Sequence, residues 1–338
     1  MKPELFTIPF TNLTVKGPGL MIAIGFIAAA FIVKYMSRRV SIKDDILVNA
    51  ALISLVAGLF GSRVLHVVHY YEHFDSFLAV FRIWEPGREL LGGVIAAIIA
   101  IVVYLHIKKQ RIMLCLDILA VALMAGIGFG RIGCLLEGCC YGKPCSLPWA
   151  VVFPYDSIPY NSQAYPDPQR GRDEPTLKLP SSYYGRVSQD GRWIPAPEGD
   201  AKFNYPLKPY EMLTEEEKQA VSKNGPNHCV PIHPTQLYSS VFAFSWLAIL
   251  FFYWRLAGAG SLYGRQEHEK SPMRYRLARP GITGALMLVL YGFGRIILEN
   301  LRDDNPYEIS TLTISQIISI AMIAAGSIIA AYIAGKPD

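Results

Sequence analysis

The chain has 338 residues, 52% hydrophobic and only 17% charged. A water-soluble chain of this length carries about a quarter charged residues, so the balance excludes an ordinary soluble enzyme. The formal net charge of +5 sits mostly in short loops beside apolar runs, and no nucleic-acid partner is needed to explain it.

The apolar residues gather in stretches of about 17 to 23 residues, enough for a helix to cross roughly 30 Å of hydrocarbon. In chain order they predict seven spans: Pro18–Val33, Ile46–Val68, Leu90–Ile107, Leu116–Gly133, Leu237–Trp254, Ile282–Leu298 and Thr313–Ile333. None shows period-two alternation, so helices and not a barrel must satisfy the backbone in lipid. The first span lacks a cleavable small-residue site leading into a soluble domain and reads as retained. The expected fold is an all-α integral membrane protein, a seven-transmembrane-helix bundle with an irregular outer cap.

Residues 1–142 then hold spans one to four, 143–232 the cap, and 233–338 spans five to seven. The cap segment is rich in Pro, Gly, Tyr and charge. Its clear helical signal is LTEEEKQAVSK, where Thr214 precedes an acidic first turn. Elsewhere it reads as irregular, with a few short strands. The stretch GAGSLYGRQEHEKSP reads as an ordinary flexible loop.

Lys34, Arg38, Arg39 and Lys43 follow the first span, and Lys108, Lys109 and Arg111 the third. Arg255, Arg265, Lys270, Arg274, Arg276 and Arg279 follow the fifth. Seven spans place all three loops on one side, which positive loop charge identifies as the cytoplasm. The N-terminus is then outside and the C-terminus inside.

Against this bias, the outer halves of several spans hold fixed charge. Arg63 lies in LFGSRVLHVVHYY, Arg131 in GFGRIGCLLEGCCYG, and Arg295 with Glu299 in YGFGRIILENLR. An arginine in hydrocarbon costs several kcal/mol or more, so it faces a cavity or a partner. Arg295, Glu299 and Arg302, spaced i, i+4, i+7, are expected along one helix face. The bland account is snorkelling and pairing with acids to lock the bundle. Several arginines at one depth among glycines favour another, because glycine admits close approach and guanidinium grips phosphate bidentately. The pattern points to a cavity at the outer leaflet holding a phosphate-bearing amphiphile, for which a phospholipid is the obvious candidate.

Weaker clusters remain. His66, His69 and His73 are spaced i, i+3, i+7, but with no evident acid they read as an interfacial polar face beside Tyr70 and Tyr71. HPTQLYS opens span five, where Pro234 suits a first helical turn and Gln236 and Tyr238 are placed to line a cavity mouth. Cys134, Cys139, Cys140, Cys145 and Cys229 fall on the outer side, where disulfides are permitted; Cys145 or Cys140 with Cys229 is one such pairing. The spacing of the first four does not match a CxxC zinc pair.

These residues together resemble the phosphatidylglycerol–prolipoprotein diacylglyceryl transferases of bacterial inner membranes. GLMIAIGF, GSRVLHVVHYY, FRIWEPGRELLGGVIAA, GFGRIGCLLEGCCYG, PWAVVFP, HPTQLYS, LYGFGRIILENLRDD and TISQIISIAMIAAG follow in that family's order. The resemblance implies transfer of the diacylglyceryl group of phosphatidylglycerol to the lipobox cysteine thiol of a prolipoprotein, with no metal or organic cofactor. It assigns Arg131 and Arg295 to the phosphate, and Gly130, Gly133 and Gly142 to the signature. Tyr291, Glu299, Arg302, Gly92 and Gly93 also match the family's positions. Leu91 stands where the family carries a proposed basic histidine, Pro18 where it has a tyrosine, and Cys134, Glu137 and Cys139 where its signature has polar residues. Glu137, His66 and His69 are the candidate substitutes for the base. A divergent member with another acceptor, and a non-catalytic phospholipid-binding membrane protein, are the alternatives these departures leave open.

Overall fold

The computed structural model describes residues 4–7, 14–73, 81, 89–257, 279–305 and 312–336. Arg265, Lys270, Arg274 and Arg276, with all of GAGSLYGRQEHEKSP and residues 82–88, lie outside these. Strands β1 (Glu4–Thr7) and β2 (Thr14–Lys16) pair antiparallel and lead into α1 (Gly17–Arg39). Then come α2 (Asp44–His69), α3 (Leu90–Ile107) and α4 (Ile112–Glu137). The cap segment holds α5 (Ile158–Ala164), the hairpin β3 (Gly185–Val187) and β4 (Trp193–Pro195), and α6 (Glu215–Val221). Last come α7 (Thr235–Ala257), α8 (Ile282–Glu299) and α9 (Ile314–Gly335).

This is an all-α integral membrane protein. Six of its described helices are long and apolar enough to cross a membrane, and α3 is a shorter apolar helix. The helices outrun their apolar windows: α4 has 26 residues, about 39 Å at 1.5 Å per residue. Their outward faces are greasy. Phe31 and Ile328 are each 69% exposed, a liability in water and the expected lipid-facing surface in a bilayer.

Two compact units divide the chain, and several helices contribute to both. The first comprises Met1–Gly25, Gly126–Ser245 and Leu290–Ile323; the second comprises Phe26–Ala125, Trp246–Val289 and Ala324–Asp338.

In the second unit α2 packs along α3 because both carry glycine pairs. A Cβ on Gly93 would come within 2.9 Å of the Gly58 carbonyl oxygen, and Gly61 and Gly92 meet backbone to backbone. Glycine is what permits helices to approach so closely. The same unit buries Asp117 completely. Its carboxylate accepts from the backbone N–H of Gly281 and of Gly284, each at 2.7 Å. Those amides open α8 and have no partner within the helix, so α4 supplies the cap that α8 lacks locally.

In the first unit the cap segment has a core of its own, built on tyrosine. Tyr160 and Tyr184 are fully buried, and their hydroxyls donate to the Asn227 carbonyl at 2.8 Å and the Ala164 carbonyl at 2.7 Å. A buried tyrosine fills volume yet needs such an acceptor. Helix α6 carries the expected cap: Thr214 Oγ1 accepts from Glu217 N while Glu217 Oε2 accepts from Thr214 N. Glu217 also holds Lys208 Nζ at 2.7 Å.

Removing Asp117 strands two amides, one buried and one partly buried. Asp117→Ala is expected to cost about 1–3 kcal/mol, read as a lower thermal midpoint of the detergent-purified chain. For Glu217, burial raises the carboxyl's pKa, but Lys208 and the Thr214 amide outweigh it and hold the group below the ordinary range. A depressed folded pKa stabilises above the unfolded value and is lost as pH falls through the folded one. Limited proteolysis of residues 143–232 should therefore accelerate as pH drops below about 4, and Glu217→Gln should flatten that dependence.

Candidate functional site

The polar residues singled out from the sequence divide between the two units. Arg131, Gly130, Gly133, Glu137, Gly142, Gln236, Tyr238, Tyr291, Arg295, Glu299 and Arg302 belong to the first; Arg63, Gly92 and Gly93 belong to the second. Arg63 is buried in α2, and Gly92 and Gly93 pack against that helix. His69 Nδ1 lies 2.9 Å from Glu89 Oε1 and His66 Nδ1 4.0 Å from it. The acid missing from the sequence reading is thus supplied by the residue just before α3.

In the first unit, α4 delivers Arg131 near its end and then stops. Gly138 takes φ +88 and Cys140 φ 58, so the chain doubles back. Thr235 Oγ1 donates to the Cys140 carbonyl at 2.7 Å, and Gln236 Nε2 to the Cys139 carbonyl at 2.8 Å. Both residues are fully buried at the start of α7. Arg131 Nη1 donates to Cys140 Sγ at 3.3 Å. Hydrogen bonds from Cys134 and Cys139 and the charges of Arg302 and Arg131 hold the Cys140 thiol far below its ordinary range, against the effect of burial.

Beyond the loop, Gly142 bridges antiparallel to Arg302, with Lys143 N donating to the Leu301 carbonyl at 2.9 Å. Arg302 therefore departs from its expected place on a continuous helix face. Helix α8 ends at Glu299, tight turns at Leu301 and Arg302 follow, and the next backbone pairs with the signature loop. Its guanidinium grips Asp304 with two bonds, Nε to Oδ1 at 2.8 Å and Nη2 to Oδ2 at 2.7 Å. Burial opposes the Arg302 charge, but Asp304 more than offsets it and keeps the group protonated above its usual range.

Arg295 sits one turn before Glu299. Its Nη2 donates to Ser315 Oγ at 2.9 Å and lies 3.0 Å from Glu299 Oε2, an ion pair by distance without hydrogen-bond alignment. Its Nη1 is buried with no hydrogen-bond partner among the described residues. Glu299 Oε1 is fully engaged, accepting from Thr313 Oγ1 at 2.9 Å and Asn305 Nδ2 at 2.5 Å. Arg131, Arg295 and Arg302 interact electrostatically, with Tyr291 in range of the first two. Among the described residues, these three guanidiniums are thus met by two carboxylates and the Cys140 thiol. A small cleft of about 30 Å³ lies beside Arg302 and Glu299, between Lys143 and Arg170; it is water-sized.

The remaining predicted residues frame this cluster. Gly133 faces Pro18 of α1, where a Cβ would come within 3.2 Å of backbone, whereas Gly130 opens onto space with nothing within 4 Å. Glu137 is exposed at the end of α4. Tyr238 is half-buried and accepts from Trp149 Nε1 at 2.7 Å. No disulfide joins any of the six cysteines. Cys229 is buried and donates to Gln163 Oε1 at 3.4 Å, a local contact in place of the bridge permitted by compartment. Asp304, Ser315 and Thr235 escaped the sequence reading. Only Asp304, in the run RDD after the arginine-bearing span, left a signal there.

A multi-pass helical membrane protein with buried guanidiniums gathered beside free thiols is the class these features define. The chain belongs to the prolipoprotein diacylglyceryl transferase family, whose model matches residues 3–332. It is 27% identical to the phosphatidylglycerol–prolipoprotein diacylglyceryl transferase of Clostridium tetani (strain Massachusetts / E88), over 96% of this chain and 95% of that one. The enzyme of the same name from Rhodopirellula baltica (strain DSM 10527 / NCIMB 13988 / SH1) is 27% identical over 93% of this chain and 71% of its own. Phosphatidylglycerol–prolipoprotein diacylglyceryl transferase 2 of Clostridium perfringens (strain 13 / Type A) is 25% identical over 93% and 90%.

A Cβ on Gly142 would sit 2.6 Å from the His233 carbonyl oxygen, a clash with backbone. Gly142→Ala should lower the thermal midpoint and activity together. Gly130→Ala meets nothing and should hold or raise the midpoint, since alanine is favoured in a helix by about 1 kcal/mol.

Proposed function

We propose that the chain transfers the diacylglyceryl group of phosphatidylglycerol to the lipobox cysteine thiol of a prolipoprotein, releasing glycerol phosphate. The observation that carries this reading is the cluster of buried guanidiniums, above all Nη1 of Arg295, which has no hydrogen-bond partner among the described residues. The names of the relatives supply the two substrates.

Displacing a phosphate ester at carbon builds negative charge on the departing oxygen. Arg131 and Arg295 stabilise that charge, and fixed donors in a dry site do so without reorganising during the reaction. Glu299, Ser315 and Asp304 are positioning residues, orienting Arg295 and Arg302. Tyr291 lies alongside as a further donor. Gly130 gives the headgroup its closest approach to α4, and Gln236 and Tyr238 border the entry for the peptide. Glu137, exposed at the end of α4, is the carboxylate assigned to take the thiol proton. Gly92 and Gly93 contribute through the packing of α2 on α3.

This chemistry suits the outer face of a bacterial inner membrane, with α3 completing seven crossings. The described cations Arg38, Arg39, Lys108, Lys109 and Arg255 at helix ends support a cytoplasmic placement of those ends.

The test is an assay of the purified chain with phosphatidylglycerol and a lipobox peptide, read as the peptide's mass shift. Loss of one charge-stabilising donor costs about 100- to 1,000-fold in rate; Arg131→Ala and Arg295→Ala should each fall at least that far while the protein still accumulates in membranes. Full activity in either would remove the phosphate assignment. Glu137→Gln should shift the pH profile, and an unchanged profile would release Glu137 from its role.

A further inference from the structure

The backbone reversal after α4 does more than place Arg131. It brings together the Sγ atoms of Cys134, Cys139 and Cys140, all within 4.8 Å of one another. The sequence spacing gave no hint of this, because the left-handed turns at Gly138 and Cys140 fold the last two cysteines back onto the helix end. Thr235 and Gln236 hold the loop there by its carbonyls. The three thiols are free and half-buried.

Sulfurs bound to a tetrahedral zinc at about 2.3 Å stand about 3.8 Å apart, so no pair here needs to close by more than about 1 Å. Three ligands leave the fourth corner open, the pattern of catalytic rather than structural zinc sites. Thiolates select soft or borderline ions over calcium or magnesium. Arg131, which donates to Cys140 Sγ at 3.3 Å, supplies an outer N–H contact of the kind that orients and tunes a ligand.

We propose that Cys134, Cys139 and Cys140 bind one zinc(II) ion, whose open position takes the acceptor cysteine of the substrate as a thiolate. This rests on the transferase reading above and adds to it the means of activating the nucleophile. On binding, the acceptor S–H releases its proton, which Glu137 takes up as assigned above. The zinc-bound sulfur then donates an electron pair to the glyceryl carbon, forming the C–S bond. The C–O bond to phosphate breaks, and its electron pair leaves with glycerol phosphate against the guanidiniums. The metal changes neither charge nor oxidation state.

The full chain, purified in detergent, reduced and stripped of metal, is titrated with cobalt(II) alone as a spectroscopic stand-in for zinc. About one cobalt per chain is expected, with thiolate charge-transfer and tetrahedral bands that zinc abolishes. Cys134→Ser, Cys139→Ser and Cys140→Ser should each lose these bands, and Cys145→Ser should keep them. A cysteine-bearing acceptor peptide should shift the bands, and its serine analogue should not. If the serine variants fail to fold, zinc should still shield the three thiols of the unaltered chain from alkylation, and leave Cys145 open.

Absence of thiolate bands, failure of zinc to shield the thiols, or a disulfide among the three trapped in intact membranes would overturn the site. Transfer from phosphatidylglycerol that persists after complete metal removal would overturn its role and leave the transferase reading standing. Cobalt bands that respond to the peptide, without any transfer from phosphatidylglycerol, would uphold the thiolate site and overturn the assigned donor.

Discussion

Guanidinium charge is costly to remove from water, and the first unit is organised around that cost. Arg302 is compensated by a two-bond grip on Asp304, and Arg295 by Glu299 and Ser315. Among the described residues Arg131 has no carboxylate hydrogen-bond partner and turns to a thiol. Everything else in the site follows from keeping these three groups in place. Thr313 and Asn305 hold Glu299, the bridge between Gly142 and Arg302 ties the two arginine-bearing segments together, and α7 fixes the loop between them.

That arrangement explains why the transferase reading and the zinc proposal concern one place. A thiol becomes a nucleophile only as thiolate, and a phosphate leaves only if its charge is met. Both demands are for positive charge. Cys134 lies on the helix that carries Arg131, and Cys139 and Cys140 on the loop that follows it, so the two proposals assign nucleophile and leaving group to adjoining residues.

Six of the expected spans were legible because lipid allows few solutions: a long apolar run must be a helix. The N-cap at Thr214 was legible because the signal, a threonine before an acidic first turn, sits within one turn; the Glu217 half of its capping box was not read. Arg131 and Arg295 stood out because fixed charge in an apolar, glycine-rich run has few bland explanations. What stayed hidden depended on contacts between distant segments. The Arg302 helix face failed because α8 stops at Glu299 to let the next backbone pair with Gly142. The Cys134, Cys139 and Cys140 cluster was invisible because two left-handed residues, and not spacing, create it. Glu89 went unnoticed as a partner of His69 because 20 residues separate them.

The cap that Asp117 provides for α8 has a consequence for biogenesis. The two partners lie 164 residues apart, and ribosomes add about 5–20 residues per second, so Asp117 enters the bilayer roughly ten to thirty seconds before Gly281 is made. Throughout that interval the carboxylate must be sheltered from acyl chains by other helices or by the insertion machinery. Nascent chains interrupted before α8 thus carry an intramembrane acid with its amides still unsynthesised, a mark by which membrane quality control could tell unfinished copies from complete ones.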